Sequence, residues 1–386
     1  MTGFDTEGSS PAGPFLNAGD MALAPELSGH FQDIMQSLSR EQDYPDLAML
    51  GERLDTFTRL MLYSPTDLAE ILKAVSAIHD ALTARIISFH VDAIKSKDGR
   101  SPPGKFCWIS MGSDARQEQV VRTDQDNALI YADPPRSEEK AWDAYFAHLA
   151  QQVVTDLDRF GFTLCKGDVM ATNPQWRRPV TRWLQALDQW IGSAEPADIR
   201  QLTILLDFRP VYGDIPMAKS LWNKVFALFQ THPGVSHYLT RDDFLFASPK
   251  TFFGRIRTRR TKQCRACFNI KTAGLAHLIN GIRIMALNHG ISTPATLERM
   301  ISLKTKGVLS KEVYEQCQEA FYQLNRLKIA SHLNQDRHPD LPVNCMDLST
   351  LSKMEKKQLK KALDKVTRLQ KQIRKTYSIK WMNFFN

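Results

Sequence analysis

Apolar residues recur at helical spacing from Ser28 to about Ile94, as in Leu54, Phe57, Leu60 and Met61 and again in Leu68, Ile71, Leu72 and Val75. This stretch therefore predicts two to four helices. Ser64-Pro65-Thr66-Asp67 supplies a turn and a helix start between them. The pattern then changes. Ser96 to Lys105 is a loop by composition, Phe106 to Met111 a first apolar strand, Asp126 to Tyr131 a second, and Ala141 to Phe160 a helix. Phe162 to Met170 and Leu202 to Tyr212 are further candidate strands, separated by a Trp-containing helix from about Arg177 to Ile191. Strand–helix alternation of this length predicts a small mixed sheet. From Met217 to about Leu333 only helical spacing persists, followed by a Pro-containing link, His338 to Pro342, and a last helix. The expected fold is α+β, with four parts. Residues 1–27, rich in Gly, Ser and Pro, read as a disordered tail, 28–100 as an N-terminal helical segment, 101–213 as the small mixed-sheet domain, and 214–386 as an all-helical domain ending in a basic helix.

Composition narrows the class without changing this picture. The chain has 386 residues, 43% hydrophobic and 24% charged, which is ordinary for a soluble protein with ample core. No apolar run has the length of a membrane-spanning helix, and Met1 to Glu7 lacks the regions of a signal peptide, so a cytoplasmic protein without a membrane partner is expected. Six cysteines are too few for a disulfide framework. Cys264-Arg265-Ala266-Cys267 has no second pair for a zinc site, since the next thiol is Cys317, and reads as two ordinary thiols on a helix.

The charge is uneven. Lys353 to Lys375 carries ten Lys or Arg against Glu355 and Asp364, a surplus equal to the net +8 of the whole chain. Leu351, Leu359, Leu363, Val366, Leu369 and Ile373 form an apolar stripe beside it. A packed helix with a solvated basic face explains this segment more simply than a docking strip for an acidic partner. Arg255, Arg257, Arg259, Arg260, Lys262 and Arg265 form a second basic cluster, able to attract a nucleotide or an acidic protein; without interleaved aromatics it does not signal nucleic-acid binding.

The chemistry concentrates in Met111-Gly112-Ser113-Asp114-Ala115-Arg116-Gln117-Glu118-Gln119 and Thr123-Asp124-Gln125-Asp126-Asn127. Side chains two apart on a strand point to the same side, so Asp124 and Asp126 can share a divalent cation. A turn of small residues ahead of a helix offers backbone N–H groups to phosphates. Together these are the parts that nucleotidyl transfer needs. The arrangement resembles the nucleotidyltransferase superfamily, whose mark is Gly-Gly or Gly-Ser followed about ten residues later by Asp-x-Asp. It is closer still to a family of bacterial nucleotidyltransferases related to the protein-PII uridylyltransferases. Gly112, Ser113, Arg116, Glu118, Thr123, Asp124 and Asp126 match that family's motif, as do Gly167 to Arg177, Asp207 to Asp214 and Asn269 to Leu275. The resemblance runs from about residue 50 to about 375.

The resemblance implies a magnesium-dependent enzyme, with manganese as the other candidate ion. It would transfer UMP or AMP from a nucleoside triphosphate to a hydroxyl, most plausibly on a protein. Asp124 and Asp126 would be the catalytic metal ligands, with Asp168 or Asp207 as a third carboxylate. Asp207 could equally serve folding in an ion pair with Arg209. Gly112 and Ser113 would approach the phosphates, and Lys271, from the helical half assigned to substrate binding in the family, could reach the triphosphate. Arg116 could contact phosphate or brace the loop by pairing with Glu118, while Glu118, Gln119 and Asn127 would support the ligands. The competing reading is a nucleotide-sensing or signalling scaffold that binds a triphosphate without turnover. Three departures stand out. His79-Asp80, the sole His-Asp pair, lies in the N-terminal helices, so a deuridylylating hydrolase domain is not expected. The residues ahead of the sheet read as helices and not as the nucleotide-sensing modules of many relatives. Asn269 stands where an aspartate is expected.

Overall fold

The computed structural model describes residues 21–39, 46–193, 195–232, 234–243, 249–251, 254–260, 264–333 and 344–379. The first twenty residues of the expected tail and the link from His338 to Pro342 lie outside them. The tail reading needs one correction: Met21 and Leu27 are buried and helix α1 (Pro25–Ser39) starts before residue 28. α2 (Leu47–Tyr63) and α3 (Leu68–Asp98) complete the N-terminal bundle. α3 begins where the Asp67 side chain accepts the Ala69 N–H and ends at Gly99, whose φ of 64° suits a residue without a Cβ. Its 31 residues are buried on most sides because it runs between α1, α5 (Glu139–Phe160) and the sheet.

The sheet has four strands: β1 (Phe106–Met111), which runs into the short helix α4 (Gly112–Ala115), β2 (Asn127–Tyr131), β3 (Arg177–Pro179) and β4 (Phe208–Gly213). They lie in the order β3-β2-β1-β4, with β1 antiparallel to both neighbours and β2 parallel to β3. Every residue of β1 and β2 is buried, which explains their continuous apolar runs. The fold is the expected α+β arrangement, with two strands placed differently. Phe162 to Met170 makes only an isolated bridge through Thr163, because Gly161 and Asp168 take positive φ and the segment turns. The third strand is Arg177–Pro179. Leu202 to Leu205 belongs to a helix, α7 (Pro196–Leu205), and β4 starts only at Phe208; a short apolar run does not distinguish the two by periodicity. α6 (Val180–Ser193) precedes α7, and α8 (Ile215–Thr231) stacks Trp222 on Phe208 of β4 with ring centroids 4.5 Å apart.

The remaining helices are α9 (Val235–Asp243), α10 (Ala276–Asn288), α11 (Thr296–Thr305), α12 (Lys311–Leu333) and α13 (Lys353–Ile373). A two-stranded ribbon, β5 (Cys267–Asn269) with β6 (Cys345–Asp347), adds a feature that the pattern does not predict. Cys264 and Cys267 are joined in a disulfide at the start of this ribbon, not set on a helix as two free thiols. α13 opens with a capping box between Ser352 and Glu355 and buries Leu359, Leu363, Val366, Leu369 and Ile373.

Candidate active site

The carboxylate pair is held by backbone bonds from both sides. On one side the Met111 N–H donates to the Asp126 carbonyl at 2.9 Å. On the other, Gln125 N–H donates to Thr163 O and Thr163 N–H to Thr123 O, at 2.9 and 3.0 Å, and Asn127 N–H donates to Val169 O at 3.1 Å. The segment is therefore extended and pinned between β1 and the loop 161–169, and both side chains leave on one side. One ligand atom each of Asp124, Asp126 and Cys165 lie within 4.8 Å of one another, all three residues being half-buried. Burial first, and the Asp124 charge second, push the Asp126 carboxyl up to about 6; hydrogen bonding from the Cys165 thiol and the charges of Lys271 and Arg116 oppose this.

Gly112 borders the pair with φ of 59°, and a Cβ on it would come within 2.5 Å of Asp126 Oδ2. Only glycine combines that backbone with that approach. Gln119 braces the neighbourhood, accepting from Ser113 Oγ at 3.3 Å and donating to the Asp124 carbonyl at 3.2 Å. Asn127 accepts from Ala171 N–H at 2.8 Å and donates to Gln125, tying the pair to the loop beyond Asp168.

Lys271 arrives from the other half of the chain. β5 leads into a π-helical turn, Lys271–Leu275, and Asn269 Oδ1, at the end of the strand, accepts the Thr272 N–H at 2.9 Å. The Lys271 ammonium lies 3.9 Å from Asp124 Oδ1, and both side chains stay partly exposed. Beside it, Ser113, Thr123, Lys271, Lys328, His332 and Asn344 line a narrow cleft. Burial pushes the Lys328 ammonium down to about 8 and the His332 imidazole down to about 4. Lys328 was not singled out by sequence reading. Its one signal is a lysine among Leu324, Leu327 and Ile329 of a buried helix face.

The other two aspartates stand apart. Asp168 is exposed and accepts from Asn173 Nδ2 at 3.0 Å. Asp207 is 1% exposed and sits among three guanidiniums: Arg116 at 2.7 Å, Arg283 at 2.9 Å and Arg299 at 2.6 Å. Burial alone would raise its pKa, but the charges of Arg283, Arg299 and Arg116 outweigh that and hold it well below the carboxylate range. Its expected partner Arg209 instead bonds Asp80 and, at 3.0 Å, Ser76 Oγ of α3. Arg116 spends its donors on Glu118 and Asp207, which leaves it bracing the loop. Of the basic cluster, Arg255, Arg257, Arg259 and Arg260 are exposed beside the ribbon and Lys262 lies outside the described residues.

Two converging carboxylates, with a glycine that lets one of them pack against the turn, fit a divalent cation. Among the described residues, no helix is long and apolar enough to cross a membrane. Residues 52–197 match the family model described as "Putative nucleotidyltransferase DUF294", and residues 233–377 match its companion, "Putative nucleotidyltransferase substrate binding domain". No curated protein matches the chain. The first model spans the Gly-Ser turn, the aspartate pair and the Cys165 loop; the second spans Lys271, Lys328 and the basic helix. With both domains present in that order around one site, the chain belongs to the DUF294 nucleotidyltransferase family.

Proposed function

We propose that the protein transfers a nucleoside monophosphate, UMP or AMP, from the triphosphate to a hydroxyl on a protein, with magnesium or manganese as the ion. The observation that carries this reading is the convergence of Asp124 and Asp126 with Lys271 across the two domains. When bound, the cation neutralises triphosphate charge and orients the α-phosphorus for attack. Asp124 and Asp126 would hold it, and Gly112, having no Cβ, lets the Asp126 carboxylate keep its place against the turn. Lys271 would pair with phosphate as a point charge, at the expense of its contact with Asp124. The acceptor oxygen bonds to the α-phosphorus as the bond to the pyrophosphate oxygen breaks, and the hydroxyl proton leaves to solvent.

A triphosphate-binding scaffold without turnover would not need both carboxylates converging at one site. The choice of base and of a protein acceptor follows the likeness of the motif to the protein-PII uridylyltransferases. The test is incubation of the full-length protein and cell lysate with each triphosphate, labelled at the α- or at the γ-phosphate, and either metal. Protein-bound label from the α-position alone, absent with Asp124→Asn/Asp126→Asn, is the expected result. Label from the γ-position, or none with any triphosphate, would overturn the proposal.

A further inference from the structure

The third donor beside the aspartate pair is a thiol. We infer that Cys165 is a protein ligand of the cation held by Asp124 and Asp126, and that it tilts the site away from magnesium, modestly toward manganese and most strongly toward the thiophilic ions cadmium and zinc. This rests on the metal-dependent reading above and goes beyond it by assigning a residue and an ion class.

Three observations support the assignment. The ligand atoms of Asp124, Asp126 and Cys165 lie within 4.8 Å of one another, and a cation with bonds of roughly 2.0–2.3 Å reaches donors so spaced with small side-chain adjustments. The two aspartates that could complete the set are engaged elsewhere, Asp207 by three arginines and Asp168 by Asn173. Cys165 itself is delivered by the loop that pins the pair, through the bonds of Thr163 and Val169 to residues 123–127, which sets its thiol S–H beside the Asp126 carboxylate. A cation entering there takes the place of that proton, which is released to solvent as the sulfur–metal bond forms.

The ion class follows from ligand chemistry. Magnesium is a hard ion that prefers oxygen and retains water, so it gains little from sulfur. Manganese accepts a mixed set, and zinc or cadmium binds thiolate strongly. The mixed oxygen–sulfur set thus favours manganese over magnesium as the working ion and leaves the site open to poisoning by softer ones.

The experiment uses chelator-treated full-length protein in a Cys264→Ser/Cys267→Ser background, which removes the Cys-x-x-Cys pair from competition. It is titrated with cadmium, read by the thiolate-to-cadmium ultraviolet band, and with manganese, read by paramagnetic resonance of the free ion. One equivalent of cadmium should develop the band, and Cys165→Ser should abolish it. Cys165→Ser should also weaken manganese by about tenfold, while magnesium, measured by competition, changes by less than about twofold. Cys165→Asp, which restores an oxygen donor, should shift preference back to magnesium. If Cys165→Ser binds cadmium and manganese like its parent while Asp126→Asn binds neither, the metal site stands and Cys165 is no ligand. If Asp126→Asn also binds like the parent, the metal reading falls with it.

Discussion

Asp126 and Asp207 occupy parallel positions and opposite electrostatic worlds. Consecutive backbone donors at the end of β1 bind them: Met111 N–H goes to the Asp126 carbonyl at 2.9 Å and Gly112 N–H to the Asp207 carbonyl at 3.0 Å. Asp207 then meets three buried guanidiniums, and its carboxylate is held well below the usual range. Asp126 meets a second carboxylate, a thiol and a distant lysine, and is pushed up to about 6. The first carboxylate is fully neutralised by the protein and joins the sheet domain to α10 and α11. The second is left short of positive charge. A fold that supplies three cations to one aspartate and almost none to its counterpart leaves the second able to take up an external ion, as the proposal above requires.

The sharpest way to break this comparison is to neutralise Asp207. Asp207→Asn leaves Arg283 and Arg299 buried without their counter-charge and Arg116 with Glu118 alone, so unfolding free energy should fall by about 3–5 kcal/mol, measured by urea denaturation. A variant as stable as its parent would show that the hub is dispensable to the fold.

Neutralising the other carboxylates should do the reverse. Asp124→Asn/Asp126→Asn should abolish transfer and stabilise the metal-free protein, with a pH dependence of definite sign. The Asp126 pKa is raised from 3.8 to about 6, so between those values the folded state binds more protons than the unfolded chain. Stability attributable to this group is therefore greatest at low pH and is lost as pH rises through the window. At pH 7–8 the double variant should exceed the parent by up to about 2–3 kcal/mol, and the gap should close near pH 4. Thermal melts across pH check this. Saturating manganese should erase the parent's deficit, and a gap that widens toward acid would contradict the assignment.

How far the sequence reaches differs between the two sites for a physical reason. The spacing of Asp124 and Asp126 is local information, and a side-chain period of two already puts the carboxylates together. Gly112 is legible on the same scale. The fate of Asp207 is not local, because Arg283 and Arg299 come from 76 and 92 residues away. From sequence, its claim could not be separated from that of Asp168. Cys165 is hidden similarly: Phe162 to Met170 looks apolar enough for a strand, yet it turns and presents the thiol through one bridge at Thr163. Strands of three residues, such as β3, β5 and β6, are too short to show a period. The long elements, α3, α5 and the helical second half, were legible because burial repeats over many turns.

Lys271 tests the comparison at its weakest point, the lysine whose ammonium approaches Asp124. Its ammonium is partly exposed and 3.9 Å from Asp124, so it contributes little to folding and is free to turn to a phosphate. Lys271→Ala should weaken triphosphate binding by about tenfold, read by equilibrium binding, with an unchanged melting temperature. Lys271→Arg should recover part of that affinity. If affinity is unchanged, the lysine serves only to screen Asp124.

The smallest effect is expected on the basic face of α13, where charge is abundant but uncommitted. Lys356, Lys360 and Lys371 are exposed, whereas Leu359, Leu363, Val366 and Leu369 carry the packing. Positive charges already crowd this region: burial first, then Lys360 and Arg368, lower the pKa of Lys250. Reversing Lys356, Lys360 and Lys371 to Glu spares the apolar stripe and should change stability by less than about 0.5 kcal/mol. Transfer to the acceptor, and its dependence on salt, should also be unchanged if the face is only solvated. A selective loss of acceptor labelling with intact triphosphate binding would instead make this helix the acceptor's docking strip, and a charged surface far from Asp126 would join the site.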